Sequence, residues 1–315
     1  EPGFVENELI QIIESGKKHL IAGKNFFIGV CPETANPGEI MHDFTKLPRL
    51  VGAIDEETKD KIIKLYKHVF PVELIPMPNC KTANAVKLTT NVFRDLNIAF
   101  VNQLALLFDK LGIDTLEVLE AAKRKYNFQV HYPGPGVGGP CLPVNSYQML
   151  NSANQFDSEM LSLVKVGREI NESMPNYVIE LIISGLKEAN KQISNSTILL
   201  LGISYKPDVK DIQITPAENV IYKLKELGAK IKIYDPFFKS TNVFEINTEN
   251  NIEQALSNVD SVVLLTAHKE FKNLTPSFIA SKIEMPVIVD TKRVFDLDDA
   301  KKSKLIFKSL GSGTF

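Results

Sequence analysis

The chain has 315 residues, of which 44% are hydrophobic and 23% charged, the balance of an ordinary folded protein. At about 150 residues per domain the length predicts about two domains, and disorder or low complexity is excluded for the chain as a whole. A formal net charge of -2 gives no electrostatic footprint for nucleic acid or an anionic membrane.

No apolar stretch reaches the ~20 residues of a membrane-spanning helix. The start, Glu1-Pro2-Gly3-Phe4, has no basic or apolar leader character and no initiator Met. It points to a chain that begins inside a longer protein. Three scattered cysteines, Cys31, Cys80 and Cys141, argue against a disulfide framework and for a reducing, cytoplasmic setting. No Cys-x-x-Cys or His cluster suggests a metal.

In chain order, Leu9, Ile12 and Ile13 predict a helix over 8–16 that stops at Gly16. Asn25 to Val30 and Leu50 to Ile54 read as short buried strands. Thr58 to Phe70 reads as a helix with Ile62, Ile63, Leu65 and Tyr66 on its inner side. From Cys80 to about Gly112, Leu88, Val92, Leu96, Phe100 and Leu104 recur every four residues. They predict a rod roughly 45 Å long, the kind of helix that links domains or builds a subunit interface. A shorter helix follows from Asp114 or Thr115, as cap, to Lys123.

A Pro/Gly-rich loop then runs from His131 to Pro143, and helical character returns at Ser146 and from Ser158 to Leu186. The last third alternates: strand Thr197 to Gly202, helix Thr215-Pro216 to Gly228, strand Lys230 to Tyr234, helix Ile252 to Ser257, strand Ser261 to Leu265, helix Phe271 to Ser281, strand Val287 to Asp290. That alternation predicts a doubly wound parallel sheet.

Gly134, Gly136 and Gly139 form a G-x-G-x-x-G by spacing, but Pro133, Pro135 and Pro140 interrupt it and no clear strand precedes it. A dinucleotide turn is therefore disfavoured. The glycines instead allow close approach of backbone and present Cys141, a candidate nucleophile. Cys31 and Cys80 border apolar segments and read as core. Lys87 and Asn91 share a helix face at i and i+4. Lys206, just after the first strand of the last third, sits where such sheets bind ligands.

These pieces together resemble the UDP-glucose/GDP-mannose dehydrogenase family over essentially the whole chain. The resemblance rests on Cys31-Pro32-Glu33-Thr34-Ala35-Asn36-Pro37-Gly38, on Lys87-Leu88-Thr89-Thr90-Asn91, on Gly136-Val137-Gly138-Gly139-Pro140-Cys141, and on Tyr205-Lys206-Pro207-Asp208-Val209-Lys210-Asp211. It implies an α/β chain in three parts: residues 1–78 as the remnant of a Rossmann NAD-binding domain, 79–190 as a central helical dimerisation region with the nucleophile loop, and 191–315 as a doubly wound, Rossmann-like UDP-sugar domain. The family's opening strand and Gly-rich turn are absent from the sequence.

The implied activity is oxidation of the C6 alcohol of a UDP-sugar to a carboxylate with two NAD. The Pro37-Gly38 pair and the Pro-Gly-Pro-Gly run point to UDP-N-acetyl-D-mannosamine, with UDP-glucose and UDP-N-acetylglucosamine as alternatives. By the same resemblance Cys141 is the nucleophile, Lys87 stabilises the oxyanion, Asn91 holds water or the reacting oxygen, and Glu33 serves acid/base or water-positioning work. Gly136, Gly138, Gly139 and Lys206 belong to the substrate site. Arg124 or Lys125 would reach a neighbouring subunit's substrate, since the family's central helices form homodimers or larger homo-oligomers. Gln213 and Lys292 stand at expected cofactor contacts. The sequence departs from the family in three places: Asn145 stands where an Asp is usual, Gln213 where an Arg is frequent, and Lys292 keeps the charge but not the fork of an Arg. A catalytically silent UDP-sugar-binding and dimerisation unit is the competing reading.

Overall fold

The computed structural model describes residues 1–17, 19–283 and 286–313, and the chain divides into two units, 1–94 with 144–162, and 95–143 with 163–315. The first unit opens with a π-helical turn, Val5–Leu9, that runs into α1 (Ile10–Gly16). There follow β1 (Gly29–Val30), α2 (Ile40–Lys46), β2 (Arg49–Ala53), α3 (Glu56–Val69) and β3 (Leu74–Pro76). The sheet order is β1-β2-β3, with β1 antiparallel and β3 parallel to β2. The expected strand over 25–30 shortens to two residues, because only Gly29 and Val30 pair, with Ala53 and Gly52. Asp55 caps α3 by accepting the Thr58 N–H at 2.7 Å. Leu65, expected inside, is 62% exposed, so the inner stripe of α3 is narrower than its apolar spacing implies.

Helix α4 (Cys80–Leu111) is the long rod. Its expected stripe is corrected at Phe100, which is 51% exposed. A step of four residues turns 400°, so a strict i+4 row drifts about 40° per step and spirals off the core face. Leu88, Val92, Asp95, Ala99, Asn102, Ala105 and Asp109 form a buried row, spaced by a mixture of three and four residues.

The second unit continues with α5 (Thr115–Ala122), capped by Asp114, which accepts from Leu116 and Glu117 N–H. Then come α6 (Leu142–Asn154) and α7 (Ser162–Glu188). Helix α6 begins immediately after Cys141, four residues before the expected return of helix at Ser146. The sheet elements follow: β4 (Thr197–Leu201), α8 (Pro216–Glu226), β5 (Lys230–Tyr234), the hairpin β6 (Asn242–Val243) and β7 (Ile246–Asn247), α9 (Ile252–Leu256), β8 (Ser261–Leu264), α10 (Pro276–Ala280), β9 (Val287–Asp290), α11 (Leu297–Lys302) and β10 (Ile306–Ser309). The expected single helix from Phe271 to Ser281 is two pieces, a 3₁₀ turn at Lys269–Asn273 and then α10. Pro276 cannot continue a helix, so the chain restarts one there with Thr275 as cap.

The five strands run in the order β10-β9-β8-β4-β5, every neighbouring pair parallel. This is the doubly wound sheet expected from the alternation. Along β4, Ile198 and Leu200 enter one core while Leu199 and Leu201 enter the other, so both faces are buried. One core packs on α7 and α8 through Met174, Val178, Ile182, Val220 and Leu224; the other packs on α9 and α10 through Leu256 and Ile279. Gly185 lets α7 lie on the sheet, since a Cβ there would stand 2.6 Å from Val287 Cγ1. Chain order reverses between β4 and β8, and the loops leaving their carboxyl ends flank the crevice where such sheets bind ligands.

Candidate active site

The loop from Pro133 to Cys141 belongs to the second unit and is held by backbone contacts that only glycine permits. Gly136 and Gly139 have φ of +129° and +87°. A Cβ on Gly138 would collide with the Ile214 carbonyl, and one on Gly139 would lie 2.6 Å from the Tyr205 ring. The Gly139 N–H donates to the Gln213 carbonyl at 3.1 Å. The loop therefore lies against the segment 205–216 that follows β4, and Cys141 ends it at the start of α6. The G-x-G-x-x-G spacing opens no strand-to-helix phosphate turn.

Helices α4 and α7 secure the other side of the loop. Gly134 N–H donates to Asn102 Oδ1 at 2.9 Å, and Asn102 donates to Asn171 Oδ1 at 2.9 Å. Asn171 donates to Asp95 Oδ1 at 2.8 Å, and Arg168 grips Asp95 with contacts of 2.9 and 3.2 Å. Asp95, Asn102, Arg168 and Asn171 are all at least 98% buried. Pro175 in α7 has no N–H for the carbonyl of Asn171, four residues earlier. Gly136 approaches that same carbonyl, at a spacing where a Cβ would come within 3.1 Å. None of these buried positions was singled out from sequence, since a polar residue on an apolar helix face gives no sign of its partner.

The loop after β4 is pinned from behind. Asp235, fully buried at the end of β5, accepts N–H from Ile203 at 2.8 Å and from Phe237 at 2.9 Å, and lies 3.0 Å from His268 Nε2. His268 Nδ1 accepts the Asp208 N–H at 2.9 Å, which assigns the ring proton to Nε2 and makes it the donor to Asp235. Burial pushes the Asp235 carboxyl up, but His268 and the backbone donors outweigh it and hold it below the usual range. This arrangement fixes Tyr205 and Lys206. Lys206 lies half-buried in the loop after β4.

Lys292 sits in the turn after β9. Its amine lies against Gly134, and its side chain lines two cavities, one with Tyr132, Pro133 and Arg293, the other with Gly136, Tyr205 and Thr266. Asp290 accepts the N–H groups of Lys292, Val294 and Phe295 at 2.7–2.9 Å. Burial lowers the Lys292 amine to about 8 against the pull of the Asp290 charge. The Gln213 side chain turns back toward Asp211, at 3.5 Å, and its carbonyl accepts the Gly139 N–H of the loop before Cys141. Arg124 and Lys125 are exposed beyond the end of α5.

The depressed amine has a measurable consequence. The folded protein releases the Lys292 proton near pH 8, whereas an unfolded chain keeps it to about 10.5. Within that window the unfolded state holds the extra proton, so this group's penalty is full below pH 8 and fades as pH rises. Lys292→Met is expected to be more stable than the parent at neutral pH, by up to about 3 kcal/mol. Its advantage should shrink on titration through the window, as read by urea unfolding. A constant advantage from pH 7 to about 10 would show that the amine keeps its ordinary affinity for protons.

In the first unit, Glu33 and Lys87 come together: the Lys87 amine donates to the Glu33 carbonyl. The Glu33 carboxylate accepts the Thr34 and Ala35 N–H groups at 2.7 Å each and pairs with Arg49 at 3.3 Å. Asn91 donates to Asn145 Oδ1 at 2.5 Å, and Asn145 donates to Gln148 Oε1 at 2.9 Å. Of the other cysteines, Cys80 is fully buried with its thiol pushed up to about 11 by burial. Cys31 is half-buried, and burial raises its thiol as well. Among the described residues, no cluster of metal-ligating side chains exists, and no helix is long and apolar enough to cross a membrane.

Three segments match parts of one family, described as UDP-glucose/GDP-mannose dehydrogenase: its NAD binding domain over 1–70, its central domain over 81–173 and its UDP binding domain over 199–297. A UDP-N-acetyl-D-mannosamine dehydrogenase of Methanocaldococcus jannaschii is 31% identical over 98% of this chain and 72% of its own length. The solved structure of the UDP-D-ManNAc dehydrogenase of Pyrococcus horikoshii superposes with a TM-score of 0.90 at 29% identity, covering 100% of this chain and 71% of that one. An NDP-N-acetyl-D-galactosaminuronic acid dehydrogenase of Methanosarcina mazei superposes with a TM-score of 0.89 at 28% identity, covering 98% and 67%.

Proposed function

Since the chain belongs to the UDP-glucose/GDP-mannose dehydrogenase family, whose members are NAD-dependent oxidoreductases, we propose that it acts on the C6 alcohol of a UDP-sugar, UDP-N-acetyl-D-mannosamine first among them. The observation that carries this reading is the glycine-only seating of the loop before Cys141 against the loop of the UDP-binding segment. We assign residues 1–78 to the cofactor side, 79–190 to the centre and 191–315 to the UDP-sugar side.

Bound NAD supplies the hydride acceptor. Among the described residues of the first unit, none forms the glycine turn that cradles a dinucleotide pyrophosphate. Loss of one hydride and one proton from the alcohol gives an aldehyde. The Cys141 thiolate adds to its carbonyl carbon, and the resulting thiohemiacetal loses a second hydride and its hydroxyl proton to become a thioester. Water attacks the thioester carbon, the thiolate leaves, and the carboxylate is released. Four electrons leave C6 in two pairs, and Cys141 is regenerated.

Lys87 supplies positive charge for the oxygen that gains it, and the contact with the Glu33 carbonyl fixes where its amine stands. Asn91 holds water or the reacting oxygen, and its bond to Asn145 supports this reading. Glu33 serves as the acid/base or water-positioning group. Lys206, Gly136, Gly138 and Gly139 form the sugar-nucleotide side, Arg124 or Lys125 reaches a neighbouring subunit's substrate, and Lys292 and Gln213 remain the proposed cofactor contacts.

A homo-oligomer fits the outer face of α4, where Phe93, Phe100 and Leu107 recur every seven residues with about half of each exposed. A cytoplasmic setting fits three free cysteines. One observation favours a second reading, a silent UDP-sugar-binding unit: Asn145 is an amide and accepts no proton as a carboxylate would. A panel of UDP-N-acetyl-D-mannosamine, UDP-glucose and UDP-N-acetylglucosamine, scored by NADH release and by calorimetric binding, decides the matter. We expect two NADH per sugar, fastest with the mannosamine. Binding without NADH from any of the three would establish the silent unit.

A further inference from the structure

Arg49 opens β2 and has no role in the chemistry above. Its backbone is fixed by the sheet, where its N–H donates to the Glu73 carbonyl at 2.9 Å. Its side chain is 6% exposed and lies between two rings. The guanidinium carbon stands 4.5 Å from the ring centroid of Phe44 on α2 and 4.0 Å from that of Phe70 at the end of α3. Stacking of this kind holds the plane of the guanidinium as well as its charge. Within that plane Nη2 donates to Glu33 Oε2 at 3.3 Å, while the buried Nε has no hydrogen-bond partner among the described residues. A buried cation with one N–H unpaired works against stability, and an apolar side chain of similar length would fill the place between the rings at less cost. Packing alone therefore does not account for an arginine here.

What the arginine holds is Glu33. Oε1 of that carboxylate accepts the Thr34 and Ala35 N–H groups at 2.7 Å each, Oε2 accepts from Arg49, and the Glu33 backbone carbonyl accepts the Lys87 amine. A carboxylate has about four acceptor positions. The two on Oε1 and one on Oε2 are taken, so one stays open on the oxygen that Arg49 grips, with half of the side chain exposed. The backbone bonds by themselves fix only Oε1 and leave the other oxygen free to swing about it. The clamped guanidinium removes that freedom. We propose that Arg49 is the positioning residue of Glu33: it fixes the direction of the one open acceptor position, and with it the water or hydroxyl that Glu33 holds. The inference rests on Glu33 serving the reaction.

Arg49→Met keeps an unbranched apolar side chain between the rings. Amide hydrogen exchange, followed by NMR, should quicken about tenfold at Thr34 and Ala35, whose acceptor is no longer anchored. The Met77 N–H, which donates to the Val51 carbonyl in the same sheet, should keep its rate, and the unfolding temperature should not fall. Unchanged exchange at Thr34 and Ala35 overturns the proposal. So does equal quickening at Met77 with a lowered unfolding temperature, which would make Arg49 a structural residue. In turnover kcat should fall about tenfold or more with KM nearly constant. A residue that acts through Glu33 costs nothing further once Glu33 is disabled, so Arg49→Met should leave kcat of Glu33→Gln as it is. A loss there equal to that in the parent overturns the proposal. If Arg49→Met fails to fold, Arg49→Lys, which keeps the charge but not the flat fork, carries the same measurements. The two readings fail separately. A parent that releases no NADH from any of the three sugars removes the dehydrogenase reading, and the exchange rates still decide whether Arg49 anchors Glu33. A working parent with unmoved exchange in Arg49→Met removes only the arginine.

Discussion

Cys141→Ser should leave a folded protein that forms no acid. A serine hydroxyl is protonated at neutral pH and adds poorly to an aldehyde without a base beside it. The expected loss in steady-state NADH release is at least about 10³-fold. The size of the effect follows from the place of the thiol in the sequence of bonds. An aldehyde has no second hydride to give until something adds to its carbonyl, so removal of the nucleophile blocks the second oxidation and the hydrolysis together. The first hydride transfer does not need sulfur. A single equivalent of NADH per active site, with aldehyde found in the quenched mixture, is therefore the expected signature, and mass spectrometry of the sugar nucleotide would detect it. Turnover within about tenfold of the parent would mean that water rather than sulfur adds to the aldehyde.

The second large effect lies in the interior. Arg168 and Asp95 face one another with side chains only 3% exposed, and Asn171 completes the set. Arg168→Met leaves the Asp95 carboxylate buried without its counter-charge. Breaking one half of such a pair costs about 3–5 kcal/mol. For a unit of this size that lowers the unfolding temperature by roughly 6–20 °C. Asp95→Leu combined with Arg168→Met removes both charges and should recover most of the loss, because the pair's own Coulomb gain is largely spent on desolvation. Differential scanning calorimetry of the two variants checks this. A single variant as stable as the parent would show that water reaches Asp95. The same variants also report on the site: Asn171 bonds to both Asp95 and Asn102, and Asn102 takes the Gly134 N–H, so the nucleophile loop loosens when Asp95 is left unpaired.

The parts of this fold that were legible in the sequence are those written in period and punctuation. The alternation from Thr197 to Asp290 gave the parallel sheet because β4, β8 and β9 are buried on both faces and read as short apolar runs, and the edge strand β5 keeps Ile231, Ile233 and Tyr234 alongside its lysines. Thr215-Pro216 marked the start of α8 because a capping hydroxyl before a proline has few other uses. The Cys141 loop was legible because three prolines and four glycines between helices continue neither a helix nor a strand. What stayed hidden depends on partners remote in sequence. Asn102 and Asn171 are 69 residues apart, and Asp235 and His268 are 33 apart. Neither half of such a pair differs from a surface residue until the other is placed. The drift of the i+4 row at Phe100, and the break at Pro276, show the converse: a local pattern misleads where geometry or a missing N–H overrides it.

The buried face of α4 carries Asp95, Asn102 and Asp109, a polar mark every seven residues, about 10.5 Å apart along the axis. All three meet α7, each with its own set of partners: the first reaches Arg168 and Asn171, the second Asn171 and the Gly134 N–H, the third Tyr177 and the N–H groups of Gly311 and Gly313. An apolar stripe of Leu and Ala is nearly indifferent to a slip of one helical turn, because one methyl contact substitutes for another. Three marks with unlike partners are not. A slip of α4 by a turn strands all three at once, with several kcal/mol of unsatisfied burial for each. The helix is in this sense keyed: its polar interior residues select one register among those its apolar residues would accept, and they leave the outer row of Phe93, Phe100 and Leu107 facing a single, fixed direction.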